Sequence, residues 1–385
     1  MLRIASAQVE VGAEALGDRL AAALLHRLGG APTRAVVFFV RSELGPGLAG
    51  IEGTLRERTG AEAVIGCTAA RVFDAESGAE DGPLASALAI AGDVEVRRVF
   101  CAGLRGRAED VGRELGRAVQ AVSARPRALF VLADSYNLAP DELLAGCETI
   151  APGTLVCGAG ASEDGATGET AVVGRGTSSA NALGGLAVGG MRLRTLVIPA
   201  TTLVGPWWPV TRAEGNRALE LGRRPAIEVF LEALPSALRE DVPTALRATL
   251  AAIREPGAPA DAAYLARPVV ALDPKAGAVA IGDEIYPGME LALVVRDPSR
   301  TAEELERRLA TFAASCGRLA GALYVVTGER GSAGFGIPGL EAAYLRRHLG
   351  DRPIAGFYCG AAIAPLGDRN RFHQHAGVLI GFEED

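Results

Sequence analysis

Ala355-Gly356-Phe357-Tyr358-Cys359-Gly360-Ala361-Ala362-Ile363-Ala364-Pro365 is a short apolar strand that runs into glycine, cysteine and other small residues. Two earlier stretches have the same make-up, Val64-Ile65-Gly66-Cys67-Thr68-Ala69-Ala70 and Leu155-Val156-Cys157-Gly158-Ala159-Gly160-Ala161. Residues without bulk are required where backbone turns sharply or lies against another backbone or a ligand. The recurrence therefore predicts three equivalent turns.

The repeat extends outward from each turn. Upstream lie the apolar strands Ala35-Val36-Val37-Phe38-Phe39-Val40, Ala128-Leu129-Phe130-Val131-Leu132 and Ala322-Leu323-Tyr324-Val325-Val326, each joined to its turn through a helical segment. A further helix precedes each strand, over residues 12–28, 108–122 and 302–314. The last of these has Thr301 and Glu304 at capping-box spacing. An apolar strand follows each turn, over residues 86–90, 170–173 and 376–380, and strands at 94–100 and 194–198 close the first two units. The pattern predicts an α/β protein of repeated αβαββ units, forming mixed sheets layered with helices in two domains, 1–222 and 223–385. The stretch between the second and third units adds strands at 268–272, 278–281 and 289–295, while residues 235–262 read as an adaptable surface segment.

Composition narrows the chemistry. The 385 residues are 49% hydrophobic, enough for substantial cores. A formal charge of −7, without a long basic run, argues against nucleic acid and anionic membrane as partners. No apolar run approaches the roughly 20 residues of a membrane helix, and Met1-Leu2-Arg3-Ile4 does not open a secretory signal, so the expected setting is cytoplasmic. The six cysteines contain no Cys-x-x-Cys pair, and no cofactor is expected. Lys275 is the only lysine and sits in the turn Asp273-Pro274-Lys275-Ala276-Gly277, which disfavours Schiff-base chemistry.

Four groups of residues bear on a site. Gly45-Pro46-Gly47-Leu48-Ala49-Gly50 has G-x-G-x-x-G spacing between a strand and a helix, but no acidic residue ends the next strand, so a flexible ligand-side loop is preferred to a dinucleotide cradle. Cys67, Cys157 and Cys359 stand at the repeat turns beside Thr68, Gly158 and Gly360, either as buried packing or with one of them a nucleophile. His373 and His375 alternate at strand spacing, which allows one shared face, though a metal site needs a third ligand that the sequence does not supply. Arg330, between Gly328 and Gly331 at a strand end, is placed either to fork onto a carboxylate or to pair at the surface with Glu329 or Asp351. Trp207 and Trp208, between prolines, read as structural.

The segments Trp207-Trp208-Pro209-Val210-Thr211-Arg212-Ala213-Glu214-Gly215-Asn216, Arg224-Pro225-Ala226, Gly328-Glu329-Arg330-Gly331 and Gly356 through Pro365 together resemble the FIST proteins. The resemblance spans a FIST N-terminal domain near 30–222 and a FIST C-terminal domain near 224–367. It implies a bacterial sensory domain of signal transduction that binds a small ligand such as an amino acid. Where the family usually carries a glutamate before the isoleucine, this chain has Ala361 and Ala362. With no output domain recognisable, a separate signalling protein is the expected partner.

The sequence therefore predicts a sensory protein binding an amino acid or small carboxylate in a cleft between the repeat pair and the C-terminal unit. The expected ligand contacts are Cys67, Thr68, Gly158, Arg330, Gly331, Tyr358, Cys359, Gly360, His373 and His375, with no catalytic residue and no metal. The alternatives are a cysteine-dependent hydrolase or transferase using Cys67 or Cys359, and a scaffold without ligand.

Overall fold

A computed structural model describes the chain except for residues 11, 13, 74, 77–81, 235–240, 260, 329 and 385 and the side chains of 242, 332 and 333. It is an α/β structure of mixed sheets layered with helices, as the repeat pattern predicts. Two compact units emerge. One comprises Met1–Val197, Leu305–Phe372 and Ala376–Asp385, the other Ile198–Glu304 and His373–His375.

In the larger unit each repeat builds the centre of one sheet. Its two apolar strands run parallel: Thr33–Arg41 beside Ala63–Ala69, Arg127–Asp134 beside Leu155–Ala161, and Leu319–Thr327 beside Ile354–Cys359. The crossover helices Leu48–Thr59, Pro140–Ile150 and Leu340–Leu349 supply the connection that parallel strands require. Antiparallel to the first strand of each pair lies a return strand, Ala85–Ala91, Ala182–Gly189 or Ala376–Glu383. Beyond it comes an outer strand, Arg3–Val9, Glu95–Ala102 or Arg192–Pro199. The strands expected near 94–100 and 194–198 to close the first and second units instead open the following sheets. The second unit's return strand is Ala182–Gly189, not the segment near 170–173. Strict alternation is missing from these strands because both sheet faces are covered; Ala85–Ala91 is buried throughout.

The segment after each small-residue turn leaves its own sheet. Arg71–Val72 pairs with Tyr358 and Phe357 of the third sheet, Val172–Gly174 with Cys67 to Ile65 of the first, and Ala362–Leu366 with Ala159 and Gly158 of the second. Every parallel pair thus has its free edge covered by a strand from another repeat, which removes an edge open to aggregation. The exchange runs in a ring, so each turn is held against its counterparts.

Helix packing follows from side-chain spacing. Val111, Leu115 and Val119 recur every fourth residue of Ala108–Gln120 and are buried on one face. Gly112 and Gly146 let this helix approach Pro140–Ile150 closely: a Cβ on either would come within 2.1 Å of a carbonyl oxygen of the other helix.

The smaller unit is an antiparallel sheet whose strand Thr202–Glu214 pairs with both Glu290–Val295 and Arg217–Leu221, closing the sheet on itself. Its interior holds Val210, Ile253, Val269, Val279 and Leu291, with Phe230 of the helix Ala226–Ala233. The segment expected to be adaptable contains regular structure, helix Val242–Ala248 and strand Thr249–Arg254; residues 235–240 and 260 of it lie outside those described. Trp207 packs edge-on against Tyr264 beneath the Arg254 guanidinium, a structural role. Helix Pro298–Ser315 is capped by Asp297, whose Oδ1 accepts from the Arg300 amide, so Thr301 lies inside the first turn and does not cap it.

Candidate functional site

The three parallel pairs end where their turns meet. Ala35 faces Ala63, Ala128 faces Leu155 and Ala322 faces Ile354. Counting from these pairs makes Thr68, Gly160 and Cys359 equivalent, and likewise Cys67, Ala159 and Tyr358. The three repeat cysteines thus sit at three different levels, Cys157 nearest its strand start, and form no common catalytic position.

Hydrogen bonds join all three copies. Ser162 closes the second copy: its amide donates to Thr68 O at 3.1 Å, its hydroxyl donates to Tyr358 O, and it accepts from the Ala70 amide at 2.9 Å. The Gly160 amide donates to Ala361 O at 2.8 Å, and Gly360 returns a bond to Gly160 O at 3.1 Å. Glycine gives the Ser135 side chain its room, because a Cβ on Gly160 or Gly360 would lie 2.2 or 2.5 Å from Ser135 Oγ. Ser135 in turn donates to Ala161 O at 2.5 Å. Thr68 Oγ1 accepts from the Ala171 amide at 2.9 Å. Gly158 is buried one level below, where a Cβ would come 1.9 Å from Val131 O.

Beneath this surface the buried Asp134 accepts from Thr170 Oγ1 at 2.5 Å, the Tyr136 amide at 3.1 Å and the Asn181 amide at 2.9 Å, and from Asn137 Nδ2. It anchors the loop Asp134-Ser135-Tyr136-Asn137. Sequence reading missed Asp134, Ser135 and Ser162. Four consecutive polar residues ending an apolar strand were the available signal.

Two of the three repeat cysteines, Cys67 and Cys157, are poorly placed to act as nucleophiles. Cys67 is 0% exposed, and burial, with the neighbouring Cys359 thiol adding to it, pushes its pKa well up. Burial likewise raises Cys157, whose thiol faces Leu129 O. A thiol held protonated is a poor nucleophile.

Tyr358 is half-buried with one face under the Arg71 guanidinium, 4.1 Å from the ring centroid. Phe73 lies against both Tyr358 and Tyr324. Gly331, at φ +79, leaves room for the Tyr358 hydroxyl, which a Cβ would meet at 2.9 Å. Arg330 is not at the surface. Its side chain is 1% exposed and donates from Nε to Glu341 Oε1 at 2.8 Å, which also accepts from Tyr324 Oη at 2.6 Å. Burial works against the Arg330 charge, but Tyr324 and Glu341 outweigh it and raise its pKa; burial and Glu341 likewise raise Tyr324. Asp351 is not its carboxylate partner, and Glu329 lies outside the described residues.

His373 and His375 do not share a strand face. His373 ends the strand Arg369–His373 and is buried, whereas His375 occupies the following bend at φ +52 with its carbonyl accepting from the Ala200 amide. Both group with the smaller compact unit. Among the described residues no cluster of three metal-ligating side chains occurs.

The G-x-G-x-x-G segment forms a short 3₁₀ helix, Ser42–Gly47, leading into Leu48–Thr59. Nothing lies within 4 Å of a Cβ built on Gly47 or Gly50, so close approach does not require them. The hollow beside them, about 420 Å³, has Asp18 and Glu43 in its lining, an unsuitable charge for phosphate.

Known proteins bear on these features. The FIST N domain family matches residues 34–224 and the FIST C domain family matches 226–365. An uncharacterised protein of Mycobacterium bovis is 27% identical over 260 residues, covering 66% of this chain and 67% of the relative. One from Mycobacterium tuberculosis is 26% identical over 258 residues, with the same coverage of each. Among solved structures, a chorismatase aligns over 100% of this chain and 99% of its own at 9% identity and a TM-score of 0.33. A cyanuric acid hydrolase from A. caulinodans aligns over 49% and 71% at 11% identity and a TM-score of 0.25. Similarity at that level carries no argument about activity.

Proposed function

The chain belongs to the FIST family through both its N and its C domain, and we propose that it senses a small molecule, an amino acid or small carboxylate, at the place where its three repeat turns meet. FIST domains are sensory domains of signal transduction. The observation that carries the ligand site is the convergence of Thr68, Ser162 and Tyr358 at the carboxyl ends of three parallel strand pairs. Loops gather at such ends, and α/β proteins commonly bind ligands there. Tyr358, Thr68, Gly331 and Gly360 form its wall, with Cys67, Cys359 and Gly158 packed below and Arg330 behind. We keep the division into an N-terminal domain, 1–222, and a C-terminal domain, 223–385, and a separate protein as the receiver of the signal. No helix among the described residues is long and apolar enough to cross a membrane.

The test is a thermal-shift screen of the purified chain against the common amino acids and small mono- and dicarboxylates at millimolar concentration. A ligand that binds the native state raises the melting temperature by mass action. A saturable rise with at least one compound, abolished in Tyr358→Ala, is the expected result. A panel with no shift favours the scaffold.

A further inference from the structure

The expected carboxylate receptor, Arg330, is enclosed with Glu341, but another guanidinium stands at the meeting of the turns. Arg71 follows the first copy's turn directly and is the cross-strand partner of Tyr358 in the third sheet. The strand carrying it is fixed just upstream by the Ala70 amide on Ser162 Oγ, and Ser162 donates to Tyr358 O. All three copies thus position this one side chain.

We propose that Arg71, stacked on Tyr358, binds the carboxylate of the sensed molecule; this rests on the ligand-binding role proposed above. The guanidinium lies over the Tyr358 ring, 4.1 Å from its centroid, which restrains the side chain before any ligand arrives. One donor, Nη2, makes a long contact of 3.4 Å to Gly328 O. Among the described residues no carboxylate lies within ion-pair reach of Arg71, and the residue is only half-buried, so part of its donor fork stays accessible. A planar fork with uncommitted donors matches a carboxylate through two parallel hydrogen bonds. The arrangement favours a singly charged group over a phosphate dianion, because the neighbouring Arg330 is already neutralised by Glu341.

The experiment measures binding by calorimetry and thermal shift at constant ionic strength, using acetate, succinate, glutamate, inorganic phosphate and succinamide on the unaltered chain. Arg71→Met and Arg71→Lys follow with any carboxylate that binds. Expected are saturable binding of at least one carboxylate, none of succinamide, a loss of about tenfold or more in Arg71→Met, and a smaller loss in Arg71→Lys, which keeps charge but not the fork. Equal affinity of the unaltered chain and Arg71→Met for a carboxylate overturns the role of Arg71 and leaves the ligand-binding role intact. Succinamide binding as tightly as succinate overturns it without any variant, as does phosphate binding in preference to every carboxylate. If none of these probes binds and the wider screen is also blank, the ligand-binding role falls and this inference with it.

Discussion

Arg330 and Glu341 form an ion pair at 2.8 Å with side chains 1% and 3% exposed, across the loop and helix that follow the third repeat's first strand. Removing one member leaves the other charge buried without compensation, which costs about 3–5 kcal/mol. Glu341→Gln is therefore expected to lower unfolding free energy by about that amount. Tyr324 adds to the loss, since its hydroxyl shares Oε1. The double variant Arg330→Met/Glu341→Leu, which removes both charges, is expected to be closer to the parent. Urea unfolding checks both, and a loss under 1 kcal/mol in Glu341→Gln would contradict the burial of an intact pair.

Glycines of two kinds separate under substitution. Gly158→Ala places a Cβ 1.9 Å from Val131 O at φ +147, where neither backbone can yield cheaply. Overpacking and strain of about 1–3 kcal/mol each predict a severe loss. Gly50→Ala, inside the helix Leu48–Thr59 with nothing within 4 Å, is expected to stabilise by up to about 1 kcal/mol. Melting temperatures of the two variants should move in opposite directions.

The strand pairs and crossover helices were legible because runs such as Val36-Val37-Phe38-Phe39-Val40 are too apolar for anything but a strand covered on both faces. The ring of exchanged strands was not. Arg71–Val72 spans two residues and Val172–Gly174 three, too short to show any periodicity, and their partners are fixed by tertiary pairing. The small-residue turns, where we propose the site, were legible. The charges there were not: Arg330 looked exposed because Glu341, its partner, reads as an ordinary helix-surface acid. Arg71 has no spacing partner to mark it. His373 and His375 misled because strand alternation was assumed across a bend.

Buried thiols make stability fall with rising pH. Burial, with Glu114 contributing, pushes Cys101 up to about 12, and burial with Glu148 pushes Cys147 up to about 11; Cys67 and Cys157 are also raised. Below about pH 8.5 the thiols are protonated in both states and their contribution is fully present. Above it the unfolded chain loses protons that the folded chain keeps, so each thiol removes about 1.4 kcal/mol per pH unit until its folded pKa is reached. Urea midpoints between pH 7 and 10 should fall, and Cys147→Ala should flatten the slope. A thiol-specific chromogenic disulfide should label the half-buried Cys316 well before Cys67 or Cys157 in the native protein.

The carboxylate of Asp134 gathers donors from three places in the sequence: Tyr136 and Asn137 just after it, Thr170, and the Asn181 amide. Asp134→Ala leaves the buried Thr170 hydroxyl and three part-buried donors without their acceptor, and an unsatisfied buried group costs about 1–3 kcal/mol. A total loss of about 3 kcal/mol or more is expected. Thr170→Val removes one donor and leaves Oδ1 with the Tyr136 amide, so it should cost only about 1 kcal/mol. The two substitutions touch one bond of 2.5 Å and should be less than additive, with a coupling of about 1 kcal/mol in a double-mutant cycle. Strict additivity would mean that the hydroxyl and carboxylate do not interact, and that the loop carrying Ser135 is held in place by something other than Asp134.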